Sequence, residues 1–432
     1  MSLTRELVDL IRGKAYSEAD LQHAALFVLD AAANAVAGRN SVPGRILLDW
    51  AREQGDDPGR QALLIGGLTH ILEVDDLHRA SVVHPGCVVV PASLALAKRQ
   101  NASGADMLIS VLQGFEACCR IGMAVGPGHY RIWHNTATCG PFGSAMAAAS
   151  LLNLSTEQAT HALGNAGTQS SGLWQFLDTG AMSKHLHAGR AAEAGVVAAD
   201  LARLGFTGPP EILEGARGFF QATCPDPDPE RVLAAPYAPW QLLSTSIKPW
   251  PCCRHTHPTI DAALALSKTI ETARVVQVAV QTYGPALAVC DRPCPSSEYE
   301  AKFSLQHCVA AALNDGSVAF DSFGEAGRAR LAAARERVTL SAVEPYVSAY
   351  PAHWGASVTA TLDDGSVVTV RRSDCKGDPE SPLTADEMVA KARFLLAHGG
   401  LSDHEAQGLI DSVLTLPEGD AVPDLMPMFR SS

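Results

Sequence analysis

Titratable side chains gather in four short stretches of this chain, each set in apolar surroundings. The first, EVDDLHRASVVHPG, brings Glu73, Asp75, Asp76, His78, Arg79 and His84 ahead of a Pro-Gly turn and an apolar helix. Acids and imidazoles at that density suit either proton transfer or capping. A carboxylate beside a histidine fixes its tautomer and raises its basicity, and a carboxylate at a helix start satisfies free N–H groups. Position favours capping for Glu73 and Asp75, and proton transfer for Asp76 and His84. In the second stretch, GHYRIWHNTATCGPFG, residues His129, Tyr130, Arg131 and His134 precede Thr136 and Thr138 at a helix entrance, where free backbone N–H groups bind anions. A lone histidine there is more often structural; the company of Tyr130 and Arg131 singles out His134.

Lys184, His185, His187 and Arg190 interrupt a small-residue helical region between Gly180 and Gly189. An ammonium in a close-packed apolar setting loses hydration, which fits Lys184 for acid–base work or for anchoring a carboxylate; the bland alternative is a side chain that snorkels to solvent. The His-x-His spacing does not make a metal site on a helix, because the two rings leave on different sides. The fourth stretch, SIKPWPCCRHTHPTIDAALAL, compresses Lys248, Cys252, Cys253, Arg254, His255 and His257 between prolines that fix the backbone. A Cys–His nucleophile or a Cys/His metal site would need a second ligand cluster or two adjacent cysteines facing one cleft.

The elements that must hold these residues follow from periodicity. Up to about Ala265 apolar residues recur at helical spacing, as in ADMLISVLQGFEACCRIGMAVG, with Gly, Pro and Asn between runs. This predicts a helical domain over 1–265, rich enough in Ala and Gly for helices to approach closely. RVVQVAVQTYG, RVTLSAVEPY and SVTATLDDGSVVTVRR then alternate with period two, the last around an Asp-Asp-Gly turn. With KFSLQHCVAAAL as a helix between them, 266–383 is expected to be a smaller α+β domain. Thr384 caps a further helical segment, 384–432, expected to pack back on the first domain.

Composition excludes some functions. A chain of 432 residues, 47% hydrophobic, buries a large core as a soluble globular protein. A net charge of -13 argues against a nucleic-acid partner. No uninterrupted apolar run looks long enough to span a bilayer, and the N-terminus lacks the pattern of an export signal, so a cytoplasmic location without a membrane role is expected. The eleven cysteines follow no zinc spacing and read as buried, reduced thiols. At Gly126-Pro127-Gly128 a dinucleotide fingerprint fails, with Arg131 where its third glycine belongs.

In this order DDLHRASVVHPG, WHNTATCGPFGSAMAAA, SGLWQFLDTGAMSKHLHAGRAAEAG, GFTGPPEILEGARGFFQA, KPWPCCRHTHPTIDAA, AKFSLQHCVAAAL and KGDPESPLT resemble the motifs of the MmgE/PrpD family. That family includes 2-methylcitrate dehydratase, cis-aconitate decarboxylase and iminodisuccinate epimerase. The resemblance covers nearly the whole chain. It implies a mainly α fold, with a large all-helical domain formed by both chain ends, an inserted α+β lid domain, and a homodimer. It also implies no metal and no cofactor.

Residue by residue, the resemblance points to Asp76, His84, His134 and Lys184 as catalytic, and to Lys248 and His257 as substrate-binding. Chemistry adds Arg79, Arg131, Arg254 and His307 to the groups able to meet substrate carboxylates. Two positions depart from the cis-aconitate decarboxylases: Cys253 stands where they have a histidine, and His307 where they have a tyrosine. The expected activity is a dehydratase-like lyase acting on a small polycarboxylate by proton transfer next to a carboxylate. Epimerisation is the alternative, ahead of decarboxylation or a non-catalytic carboxylate binder.

Overall fold

Hydroxyl and carboxylate caps start the long helices of the first part of the chain. Ser17 and Asp20 form a capping box at α1 (Glu18–Gly38), Asp57 caps α2 (Pro58–His70) and Ser103 caps α4 (Gly104–Ala124); between the last two lies α3 (Gly86–Gln100). After α5 (Asn135–Leu151) and α6 (Thr156–Gly167) comes α7 (Ser183–Arg203), which packs on α2, α5 and α6. Small residues permit this closeness: a Cβ on Gly195 of α7 would lie 2.1 Å from Ser144 Oγ of α5, and one on Gly189 would lie 2.4 Å from the Leu63 carbonyl of α2. Ser144 Oγ also donates to the Ala191 carbonyl at 2.6 Å, so the α5–α7 seam has a polar stitch.

The computed structural model describes residues 1–430 and divides into two units, Met1–Ser246 with the segment from Thr384 on, and 247–383. It is mainly α with a smaller α+β part. In the second unit α8 (His257–Ser267) and α9 (Leu305–Asp315) pack together beside a four-stranded sheet of order β4-β3-β5-β6. Here β3 is Val275–Thr282, β4 Val338–Ala342, β5 Ala356–Leu362 and β6 Val367–Arg372. The β3–β4 pair is parallel; β3–β5 and β5–β6 are antiparallel, the latter a hairpin through Asp363, Asp364 and Gly365, whose φ of 82° suits a residue without a Cβ. Two further strands, β1 (Leu77–His78) and β2 (Thr245–Ser246), pair antiparallel inside the first unit.

The first division falls after Ser246, not after residue 265. The cause is packing: α8 buries Ile260, Ala263 and Leu266 in the same core as Val278, Val280, Val358 and Ala360 of the sheet, so the Lys248 stretch folds with the strands. Beyond the sheet, Thr384 and Glu387 form a capping box at α10 (Ala385–His398), followed by α11 (Asp403–Leu414); both pack on α1.

One sequence expectation needs correcting. Among the described residues α4 is long and apolar enough to cross a membrane by length and composition, with mean hydropathy 1.3. In this fold 83% of that window is buried inside the protein. The helix also holds a buried ion pair, Arg120 Nε to Glu116 at 2.7 Å, with Lys14 on the same carboxylate at 2.8 Å.

Candidate active site

Four elements of the first unit deliver polar side chains to one buried place. His70 ends α2, and the chain then reverses through Glu73, a non-glycine residue with φ of 61°. The loop from there to α3 is fastened by several bonds: β1 pairs with β2, Asn135 Nδ2 donates to the Ser81 carbonyl at 2.8 Å, and the N–H of His84 donates to Thr136 Oγ1 at 3.1 Å. Its far end contains Val82, β-branched and also left-handed at φ 52°. His134 is the N-cap of α5, its own N–H tied to the Gly172 carbonyl at 2.9 Å. Lys184 enters from the first turn of α7.

Within this group Lys184 forms an ion pair with Glu73, the two side chains only 7% and 4% exposed. A buried ammonium needs such a partner, since unpaired burial costs far more than the contact returns. His70 stacks on His134 with ring centroids 5.7 Å apart and meets His84 edge-on at 4.7 Å. His134 also lies 4.7 Å from the Trp174 ring, and its Nδ1 is 3.3 Å from Nδ1 of His187. Nε2 of His70, Nε2 of His134 and Nε1 of Trp174 are buried without a hydrogen-bond partner among the described residues. Orphaned polar atoms gathered like this are what a polar ligand would satisfy. A cavity of about 760 Å³ borders the group at His187 and is lined also by Trp133, Gln169, Phe176 and Arg190, a size that accommodates a small molecule.

Hydrogen bonds set the tautomers. The Nδ1 of His84 lies 2.5 Å from the main-chain carbonyl of Asp76. A carbonyl has no proton to give, so Nδ1 carries the N–H and the neutral ring keeps its lone pair on Nε2. His70 Nδ1 lies 2.6 Å from the Asp75 carboxylate, the same carboxylate standing 3.7 Å from His84 Nδ1. The ligand atoms of His70, Asp75 and His84 fall within 4.8 Å of one another, close enough to hold a cation. With Nδ1 of His84 holding its proton for the Asp76 carbonyl, that atom offers a metal no lone pair, whereas Nε2 still does. Burial, and then the nearness of the Lys184 ammonium and of the His70, His84 and His187 imidazoles, hold the His134 imidazole well below its ordinary titration range. It is therefore neutral at physiological pH, with a ring lone pair that can take a proton but holds it less tightly than an ordinary imidazole does.

The acids exchange the roles that position suggested. The Asp76 carboxylate accepts from the Gly86 N–H at 3.0 and 2.9 Å and so caps α3, while its carbonyl orients His84. Glu73 and Asp75, read as caps, are the acids that meet Lys184 and the histidines. His70 went unnoticed because it ends an apolar run, GGLTH; its signal was a carboxylate five residues on. Arg131 is exposed at the surface, where water screens its charge, whereas Arg79 is buried and its charge helps lower the neighbouring His78 to about 4, after burial itself.

The second unit has its own cationic group. Lys248 is 1% exposed, and Arg254 is buried against Asp378, which neutralises it, although Arg254 Nη1 lacks a hydrogen-bond partner among the described residues. His257 donates from Nε2 to the Cys252 carbonyl at 3.3 Å, leaving Nδ1 buried as an unpartnered acceptor, and burial followed by Arg254 and Lys248 keeps it neutral. An acceptor of that kind suits a hydroxyl donor rather than a carboxylate. His307 is not available to a ligand: Nε2 donates to the Ser322 carbonyl at 2.8 Å and Nδ1 receives Arg335 at 3.2 Å.

Residues 5–232 match the MmgE/PrpD N-terminal domain, and residues 250–416 the MmgE/PrpD C-terminal domain. The chain belongs to the MmgE/PrpD family. Similar family relatives include a cis-aconitate decarboxylase-like protein of Aspergillus oryzae, 27% identical with 86% of this chain and 82% of the relative covered. The cis-aconitate decarboxylases of Mus musculus and Homo sapiens are each 26% identical, covering 85% and 80% of this chain and 77% and 74% of their own. For an MmgE/PrpD chain, a neutral imidazole beside a paired ammonium is an arrangement able to move a proton and steady the charge left behind.

Proposed function

We propose that this chain is a lyase that removes a proton next to a carboxylate of a small di- or tricarboxylic acid and expels a β-hydroxyl, without metal or cofactor. The observation that carries the reading is His134, buried and neutral with Nε2 unpartnered, in a group with Lys184 and two further imidazoles. A proton in that position is very weakly acidic, and its loss puts negative charge on the carboxylate oxygens. A fixed cation at that point lowers the barrier by several kcal/mol, roughly a hundred- to a thousandfold in rate. His134 takes the proton and Lys184 steadies the enolate-like charge; His84, entering the cycle as the imidazolium with Asp75 as its counter-charge, gives its Nε2 proton to the departing hydroxyl, which leaves as water, and is left as the neutral Nδ1–H ring. We assign Arg79, buried in the same unit, to holding the substrate.

The names of the relatives favour decarboxylation as a second reading. Against it stands His307, at the position of their tyrosine, with both ring nitrogens already engaged. We further propose a cytoplasmic homodimer. Eleven cysteines that form no disulfide among the described residues, with Cys294 alone exposed, suit a reducing compartment. An apolar line along α7 and the residue that ends it, Leu186, Val197, Leu201 and Leu204, between 37% and 72% exposed, suits a second copy. Sedimentation should give about twice the 45.5 kDa of one chain.

The reaction is tested by thermal-shift screening of malate, citrate, 2-methylcitrate and cis-aconitate, followed by turnover of each stabilising acid in deuterated water. Deuterium at the α-carbon before net product, with water and not carbon dioxide released, is expected. Carbon dioxide release would establish the second reading, inversion without elimination would make the protein an epimerase, and stabilisation without exchange or turnover would leave a carboxylate binder.

A further inference from the structure

The helix that closes the first unit reaches the site through one side chain. Lys391, on α10, donates from Nζ to the main-chain carbonyl of Val74 at 2.8 Å and pairs with Asp30 of α1 at 2.5 Å. Both side chains are buried, 7% and 3% exposed. Val74 sits between Glu73, whose carboxylate holds Lys184, and Asp75, whose carboxylate meets His70 and His84. The residue before it is in the left-handed region, so the peptide planes here are not fixed by regular structure.

We infer that Lys391 is a positioning residue for proton transfer, acting through the Val74 carbonyl on the two acids that flank it. A charge-assisted hydrogen bond to that carbonyl fixes the peptide between Val74 and Asp75, hence where the Asp75 side chain begins, and anchors the residue that follows Glu73. Asp30 keeps the ammonium from being buried unpaired. The segment from Thr384 thus supplies a constraint on residues more than three hundred positions earlier in the chain. Its catalytic consequence rests on the function proposed above; its structural consequence does not.

The test uses the full chain with ¹⁵N-labelled histidine, the His84 signals being identified by their loss in His84→Gln. In the native protein the neutral His84 ring carries its proton on Nδ1. Lys391→Met alone leaves Asp30 charged and buried and is at risk of not folding, so the deciding variant is Asp30→Asn with Lys391→Met, which removes both charges together. Loss of the single Nδ1–H tautomer in the folded double variant is expected, with kcat down about a hundredfold, the scale of a misplacement near 1 Å, and KM within about twofold. Lys98→Met, which cuts the exposed tie from α3 to Asp424 in the same C-terminal segment, should keep both the tautomer and kcat. A native His84 signature in the double variant would overturn the inference, as would an equal loss in Lys98→Met. Absence of turnover in the native chain would count against the proposed reaction, and the tautomer would still decide the role of Lys391.

Discussion

Removing the ammonium of Lys184 tests both the stability and the chemistry of the site, and the geometry separates the two effects. In Lys184→Met the Glu73 carboxylate stays behind, 4% exposed and without its cation. Breaking a buried pair from one side costs about 3–5 kcal/mol, a large part of the roughly 5–15 kcal/mol that holds a folded domain. Glu73 can limit that loss by taking up a proton, so the variant should be least impaired at low pH. Pairing the change with Glu73→Gln removes both charges at nearly constant volume, and stability should return to within about 1–2 kcal/mol of native. Turnover should not return, because the cation facing the enolate-like charge is still missing, a loss of about a hundred- to a thousandfold. Urea denaturation reads the first quantity, and α-deuterium incorporation into the carboxylate that most stabilises the native chain reads the second. A double variant with native stability and near-native exchange would falsify the role of Lys184. A double variant as unstable as the single one would show that the cost lies in packing and not in the unpaired charge.

Three further outcomes follow from the same region. A Cβ at Gly86 would sit 2.8 Å from Asp76 Oδ2, so Gly86→Ala should push that carboxylate off its cap and lower kcat about tenfold or more, while unchanged kinetics would show that the Asp76 loop tolerates the shift. His78 is 1% exposed and held near 4 against an ordinary 6.5. The unfolded chain therefore binds its proton first, and stability present above pH 6.5 is lost as pH falls towards 4, by about 2 kcal/mol at pH 5. His78→Asn should flatten the slope of unfolding free energy between pH 7 and 5, and an unaltered slope would refute the assignment. Val82→Gly relieves a β-branched residue at φ 52°, and should leave the unfolding free energy equal or higher, by up to about 1 kcal/mol, while lowering turnover through a looser His84; a faster enzyme would mean that the strain serves no catalytic end.

Periodicity made the large helices legible, because each must bury one face, and it made the sheet legible through alternation in Val275–Thr282 and Ala356–Leu362. The domain boundary was misplaced because α8 is apolar at helical spacing like the helices before it; pattern identifies a helix but not the core it joins. Lys184, His134 and His84 stood out because charged groups in apolar runs are expensive unless partnered. Their partners were harder to see. Glu73 is 111 residues from Lys184 and Lys391 is 317 from Val74, and no local rule links such positions.

The exchange of roles among the three acids has a physical origin. In regular structure, neighbouring side chains leave in fixed directions, and a reading by position assumes this. From Glu73 to Val82 the chain runs between two left-handed non-glycine residues, and the direction of each carboxylate is set by what grips the backbone. The Gly86 N–H takes the Asp76 carboxylate, the Asp76 carbonyl takes His84, and Lys391 takes the Val74 carbonyl. What remains for Asp75 and Glu73 is the interior, where His70 and Lys184 receive them. Backbone held in sparsely populated conformations costs about 1–3 kcal/mol for each such residue, and here that cost turns two acids that would otherwise solvate a turn towards the imidazoles and the ammonium.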